Sequence, residues 1–180
     1  MAKRVRTYIG LGSNLGDTRA NLRRAVRALA ALPDFQLEAT SRLYRAKPVG
    51  VTDQPDFLNA VVALDVPAGP DPETGALALL AALKGLEQAI GRKARQHWGP
   101  REIDLDLLVF GRHRISVERP DGRWLEVPHP EAQRRLFVLA PLSDLAPGLR
   151  PPGWGESVET ARRRAARNEP EDAVQPVGKF

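Results

Sequence analysis

The chain switches repeatedly between the two-residue alternation of strands and the three-to-four-residue recurrence of helices. Val5–Leu11 is a short apolar strand that runs into the turn-rich stretch GLGSNLGD. Asp17 or Thr18 can cap a helix whose apolar stripe is Leu22, Val26, Leu29 and Leu32, with Arg19, Arg23, Arg24 and Arg27 mostly off that stripe. Pro33 and Asp34 end it, and alternating Phe35, Leu37 and Ala39 predict one strand over Phe35–Tyr44. The loop RAKPVGVTDQPD follows, then a Val- and Ala-rich strand, Phe57–Val66. Asp71-Pro72 opens a helix with Leu79, Leu80, Leu83, Leu86 and Ile90 at helical spacing, and Gly91 stops it.

Beyond the basic, irregular RKARQHWGPR, Ile103–Phe110 reads as a buried strand. Pro120-Asp121-Gly122 joins Ile115–Arg119 to Trp124–Val127 as a hairpin turn. A helix from about Pro130 carries Leu136, Phe137 and Leu139 and is expected to end at Pro141. After Pro147 the chain turns Pro/Gly-rich, then basic, then acidic, which predicts a solvated helix and a loose C-terminus. Two strands in direct succession argue against a regular βαβ series and for an antiparallel α+β sheet with helices packed on it. The expected division is a domain over residues 1–150 and a C-terminal extension over 151–180, partly helical or loose.

Composition adds bounds. A chain of 180 residues can close one real core. No apolar run approaches the ~18 residues of a membrane span, and no apolar h-region precedes the first strand, so neither membrane nor signal peptide is expected. There is no cysteine, which removes disulfides and thiolate metal sites and fits the cytoplasm. Net charge is +5 and 22 of the 27 basic residues are Arg, a balance suited to anionic partners such as nucleotide phosphates or nucleic acid. A GC-rich or heat-adapted genome gives the same bias.

The chemistry concentrates in two places. Asp104 and Asp106 sit two apart in an otherwise apolar strand, so both carboxylates face one side about 6.6 Å apart. That spacing lets them share one or two hard cations, and Mg²⁺ is held by one or two carboxylates plus substrate phosphates. An exposed strand face or an ion pair with a nearby Arg is the plainer alternative. Just upstream, Arg92, Lys93, Arg95, His97 and Arg101 surround Trp98, abutting Glu87 on the helix. Five donors beside a cation site form a clamp for a polyphosphate; a solvated loop, or a nucleic-acid surface with Trp98 stacking on bases, are the rivals. GLGSNLG has neither P-loop nor dinucleotide spacing and reads as a tight strand-to-helix turn. Phe57 and Asn59 share a strand face and offer a ring and an amide to a flat heteroaromatic ligand, although core packing suits Phe57 equally. His129, Arg135 and Phe137 lie close together near the last helix.

Four blocks in this order, YIGLGSNLGD, DQPDFLNAVVAL, GRKARQHWGPREIDLDLLVFG and VPHPEAQRRLFVLAPLSDLAP, resemble the 6-hydroxymethyl-7,8-dihydropterin pyrophosphokinases of folate biosynthesis. The likeness runs from about Val5 to Leu149, and WGPR-x-IDLD is its most specific part. It implies a ferredoxin-like α+β fold, a mostly antiparallel sheet in a three-layer αβα arrangement. It also implies a monomer that transfers the terminal pyrophosphate of ATP to the hydroxymethyl oxygen of 6-hydroxymethyl-7,8-dihydropterin and releases AMP. By motif, Asp104 and Asp106 would hold two Mg²⁺ ions bridging the triphosphate, while Arg92 and Arg101 neutralise the transferring group. Trp98 belongs to a mobile loop that closes over the site. Phe57, Asn59 and Phe137 would hold the pterin, with the backbone at Pro48 and Val49 on its edge. Glu87, Leu107, His129 and Arg135 would line the ATP site, with Arg95 and His97 reaching the phosphates.

The basic loop departs from the family's common GR-x-R-x-x-RWGPR: Ala94 and His97 replace two arginines and Arg95 is shifted by one. Glu126 stands where a Thr is common, and the RPDGRW hairpin is slightly extended, so Arg119 or Arg123 could supply a missing charge. Two other function classes remain: a basic nucleic-acid-binding domain, which gives no reason for paired strand carboxylates, and a two-metal nuclease or nucleotidyltransferase, which needs more acidic ligands nearby.

Overall fold

The computed structural model describes residues 2–180. The elements, in order, are β1 (Arg4–Ser13), α1 (Thr18–Ala31), β2 (Gln36–Thr40), β3 (Tyr44–Ala46), β4 (Phe57–Pro67), α2 (Pro72–Ile90), β5 (Asp104–Phe110), β6 (Ile115–Glu118), β7 (Trp124–Val127), α3 (Leu136–Leu145), α4 (Val158–Arg167) and β8 (Val174–Pro176). The main sheet runs β5-β1-β4-β3-β8, with β2 also on β4, and every pairing is antiparallel. β6 and β7 form a separate hairpin.

The two long helices begin and end where their caps dictate. Asp17 accepts from the Ala20 N–H at 3.0 Å, and Asp71 accepts from the Thr74 N–H at 2.8 Å with Pro72 in the first turn. Gly91 closes α2 at φ 106°, a left-handed conformation that glycine takes without a Cβ penalty. Both helices cover one sheet face: Leu22, Leu29, Leu79 and Leu83 bury against Ile9, Leu11, Val62, Leu64 and Phe110. The other face packs Tyr8, Val61, Ala63 and Leu108 under Leu142 and Val158 from α3 and α4. β4 is central, so Ala60–Leu64 are buried on both faces. The result is the expected three-layer α+β fold.

Three details differ from the sequence pattern. The single strand expected over Phe35–Tyr44 breaks into β2 and β3. At the break the Ser41 hydroxyl accepts the Val61 N–H at 2.9 Å, so a side chain takes the place of a backbone rung. The helix expected from about Pro130 begins only at Leu136, after a 3-10 turn over Ala132–Arg134, and continues through Pro141 to Leu145. Pro141 forgoes one helical rung, yet it and Leu142 are buried, which keeps the helix on the sheet. The C-terminus is tied down: α4 buries Val158, Ala161 and Ala165, and β8 pairs with β3.

Candidate active site

α3 leaves part of its sheet face open, and there a cleft of about 320 Å³ forms over β1, β4 and β5. Its floor is Gly10 and Gly12, which lie opposite Asp106 and Asp104 in the β1–β5 register. Each carboxylate therefore stands beside a bare backbone rather than a side chain. Gly12 is also constrained from β4, because a Cβ there would come within 3.0 Å of the Asn59 amide nitrogen.

β5 is an edge strand, and its free edge carries much of the site's electrostatics. Glu87, buried at the end of α2, accepts the Leu105 N–H at 2.8 Å through Oε1. Lys84 donates from Nζ to the same carboxylate at 2.9 Å and to the Leu105 carbonyl at 3.3 Å. The other oxygen of Glu87 holds Arg92 at 2.8 Å, and that guanidinium nitrogen also reaches Asp104 at 2.7 Å. Arg101 approaches Asp104 from the loop at 3.2 Å. Burial pushes the Asp104 carboxyl up, but the charges of Arg101, Lys84 and Arg92 outweigh it and hold the group below the ordinary range. No ion pair reaches Asp106 among the described residues, and burial together with the Asp104 charge raises it to about 7. One carboxylate is thus ionised and paired, while its neighbour lacks a cation.

The loop that carries Arg101 is pinned from below. The Asn14 side chain accepts the Arg101 N–H at 2.9 Å, and its amide donates to Gln54 Oε1 at 2.9 Å and to the Pro55 carbonyl at 3.0 Å. Gln54 in turn donates to the Trp98 carbonyl at 2.8 Å. Trp98 adopts φ 62° and is 48% exposed, lying over Gly50. Two loops, 47–56 and 91–103, thereby meet above the cleft.

On the β4 side Phe57 and Asn59 line the cleft, with Phe137 from α3 near them. Asn59 Oδ1 is buried without a partner and offers an acceptor to a ligand. Arg135 sits 5.7 Å from the Phe137 ring centroid, a cation–π distance. Burial and the Arg135 charge lower the His129 pKa, so its ring is neutral near pH 7, and its Nδ1 accepts the Glu131 N–H at 3.2 Å.

Of the residues singled out from sequence, Val49, Phe57, Asn59, His97, Trp98 and Arg101 line this one cleft together with Asp104, Asp106, His129, Arg135 and Phe137. Glu87 and Arg92 stand one layer behind Asp104. Leu107 is buried beneath, on the opposite sheet face. Arg95 is turned to Glu102 at 2.7 Å, and Pro48 lies between two lining residues, Lys47 and Val49. Sequence reasoning passed over Lys47, Lys84, Asn14 and Gln54. The signal for Lys84 was its place three residues before Glu87, one helical turn; Asn14 was hidden inside a stretch read only as a turn.

The family model described as 7,8-dihydro-6-hydroxymethylpterin-pyrophosphokinase matches residues 8–147. The 2-amino-4-hydroxy-6-hydroxymethyldihydropteridine pyrophosphokinase of Pseudomonas aeruginosa is 45% identical over 147 residues, covering 82% of this chain and 84% of that protein. The protein of the same name from Methylorubrum extorquens is 42% identical over 166 residues, covering 92% and 95%. Among solved structures, an HPPK-DHPS in complex with substrates superposes with a TM-score of 0.74 at 14% identity, over 96% of this chain and 46% of the other. The wild-type HPPK-DHPS of Plasmodium falciparum gives 0.75 at 12%, over 98% and 48%. At that identity the likeness is one of fold, and the chain spans about half the length of those two-part proteins.

Proposed function

The chain belongs to the 7,8-dihydro-6-hydroxymethylpterin-pyrophosphokinase family, and from that premise we propose how its own residues divide the work. The family's reaction moves a pyrophosphoryl group from ATP to the hydroxymethyl group of the dihydropterin, in folate biosynthesis. A new bond forms between the hydroxymethyl oxygen and the β-phosphorus, the bond from that phosphorus to the α,β-bridging oxygen breaks, AMP leaves, and the hydroxyl proton goes to solvent or a nearby base. Little covalent work falls to the protein, so catalysis is positioning and charge stabilisation.

The observation that carries the residue assignment is the asymmetric carboxylate pair. Asp106 is raised by burial and by Asp104 and has no cation of its own among the described residues, which fits a site completed by a hard metal ion. Two carboxylates are also the protein share that Mg²⁺ takes when phosphates supply the rest. Asp104 and Asp106 would hold two Mg²⁺ ions, which neutralise phosphate charge when bound. Arg101, on the pinned loop, points its guanidinium at the same place and stabilises charge on the transferring group. Arg92, fixed by Glu87 one layer behind the cleft, holds Asp104 ionised. His129 and Arg135 contact ATP, with His97 on its outer phosphates and Glu87 behind them; Leu107, buried on the opposite sheet face, and Arg95, turned to Glu102, stand away from it. Phe57 and Phe137 sandwich the pterin, Asn59 reads its edge, and the backbone at Pro48 and Val49 closes the rim. Trp98 excludes water once both substrates are in place.

We read residues 1–150 as the kinase domain with 151–180 appended. We also read the protein as a cytoplasmic monomer acting on small molecules rather than nucleic acid. No helix among the described residues is long and apolar enough to cross a membrane. Incubation with ATP, Mg²⁺ and 6-hydroxymethyl-7,8-dihydropterin should yield AMP and the pterin diphosphate in equal amounts. ADP as the nucleotide product, or no turnover, contradicts the reading.

A further inference from the structure

The last residues of the chain lie beyond the family-matched stretch, yet they are bound to the stem of the loop that forms the pterin side of the cleft. β8 adds to the outer edge of β3, with Tyr44 opposite Pro176 and Ala46 opposite Val174. The pairing continues at both ends. The Lys47 N–H donates to the Ala173 carbonyl at 3.1 Å, the Val177 N–H to the Leu43 carbonyl at 2.8 Å, and the Leu43 N–H to the Gly178 carbonyl at 2.7 Å. Side chains cross the same seam: Lys47 Nζ lies 2.6 Å from Asp172, and Arg45 donates to Gln175 at 3.1 Å. The far end is anchored in turn, because Arg19 of α1 donates to the Val177 and Lys179 carbonyls at 3.3 and 3.1 Å, and Val177 and Phe180 pack on the main core.

β3 is three residues long, and Ala46, Lys47 and Val49, where it gives way to the loop, line the cleft. A strand that short sits at the low end of strand lengths and gains most of its definition from its neighbours. We propose that the C-terminal segment 170–180 is a positioning element for the pterin: by pairing with the outer edge of β3 it holds the loop from Lys47 onward in its binding conformation. The proposal rests on reading that side of the cleft as the pterin side.

The sheet order makes the proposal separable from a general stabilising role. β8 closes one edge of the sheet, while the phosphate-side groups, Asp104 and Arg101 with Arg92 behind them, belong to β5 and its loop at the opposite edge. Although Gln54 links the two loops, the phosphate-side loop keeps its own anchor in Asn14, which accepts the Arg101 N–H at 2.9 Å, so loss of the segment should fall first on the pterin. If the freed loop is competent about a tenth of the time, apparent pterin affinity falls about tenfold.

Two variants test this, a chain ending at Asn168 and the full chain with Gln175→Pro, since proline in β8 cannot donate to the ladder. Equilibrium titrations with the pterin and, separately, with a non-hydrolysable ATP analogue plus Mg²⁺ give the two affinities, and steady-state rates give KM and kcat. The expected result is a pterin Kd and KM raised about tenfold in both variants, with ATP-analogue affinity within about twofold of wild type and kcat at saturating pterin retained. An unchanged pterin affinity, or equal weakening of both ligands, overturns the proposal. If the truncated chain does not fold, Gln175→Pro decides. A wild-type protein that binds no pterin would defeat the functional reading instead, which keeps the two failures distinct.

Discussion

Replacing Asp106 with Asn removes a charge that the metal-free fold resists, so the variant should be more stable while losing activity. The folded carboxyl is raised from 3.8 to about 7 by burial and by Asp104. A raised folded pKa means that the fold favours the protonated form. Its stability contribution is complete below pH 4, declines as pH rises from about 4 to about 7, and changes no further above that. A rise of that size sets a ceiling of about 4 kcal/mol. Repulsion alone between unit charges ~6.6 Å apart, at an effective dielectric of about 20, is ~2.5 kcal/mol. Lys84 and Arg135 offset part of that repulsion, which leaves about 2 kcal/mol at pH 8. For a chain of this size the gain corresponds to about 4–8 °C in Tm. Calorimetric melting of the wild type and of Asp106→Asn in EDTA, at steps from pH 4 to pH 8, reads it directly. The gain should be near zero at pH 4 and full by pH 8. A variant no more stable at pH 8, or equally stabilised at both ends, rules out a charge penalty at Asp106.

Arg101→Ala should lower kcat by about 10²–10³, the scale of one preorganised charge-stabilising donor, with circular dichroism unchanged; a loss under tenfold would remove Arg101 from the reacting group. Asn14→Ala leaves the Arg101 N–H without its acceptor and frees Gln54 and Pro55. That should cost about 2 kcal/mol and several degrees of Tm, read by thermal melting. Gly50→Ala would overlap the Trp98 ring at a backbone φ of 84°, so Trp98 fluorescence, with Trp124 and Trp154 replaced by Phe, should shift in the unliganded protein. In the same double-replacement background without Gly50→Ala, the signal should change when both substrates bind, and a constant signal at saturation argues against closure of the loop.

The strongly periodic parts of the fold were legible because one local rule governed each. Asp17 and Asp71 capped, Gly91 stopped, and β1, β4 and β5 carried apolar runs long enough to name themselves. The misread places are those where a tertiary contact outvoted the local rule. Ser41 broke a strand by reaching across to Val61, Pro141 stayed helical because its neighbours are buried, and the C-terminal polar stretch was held by β3 and α1. In the candidate site, D-x-D and WGPR announced themselves because they violate the pattern of a buried strand and a plain loop. Lys84, Asn14 and Gln54 were silent for the opposite reason. A lysine on a helix and amides in loops are ordinary until the fold brings them to Leu105, Arg101 and Trp98. The inward or outward turn of Arg95 depends on Glu102, a partner seven residues away with no periodic relation to it.

On this reading two carboxylates on one strand carry the transfer, Asp104 pinned by arginines and Asp106 without an ion pair among the described residues. Single-turnover AMP formation by Asp104→Ala, with excess enzyme, ATP, Mg²⁺ and pterin, tests it most directly. The rate should fall by at least about 10³-fold in a protein whose circular dichroism spectrum matches wild type. AMP formed at the wild-type rate would contradict it.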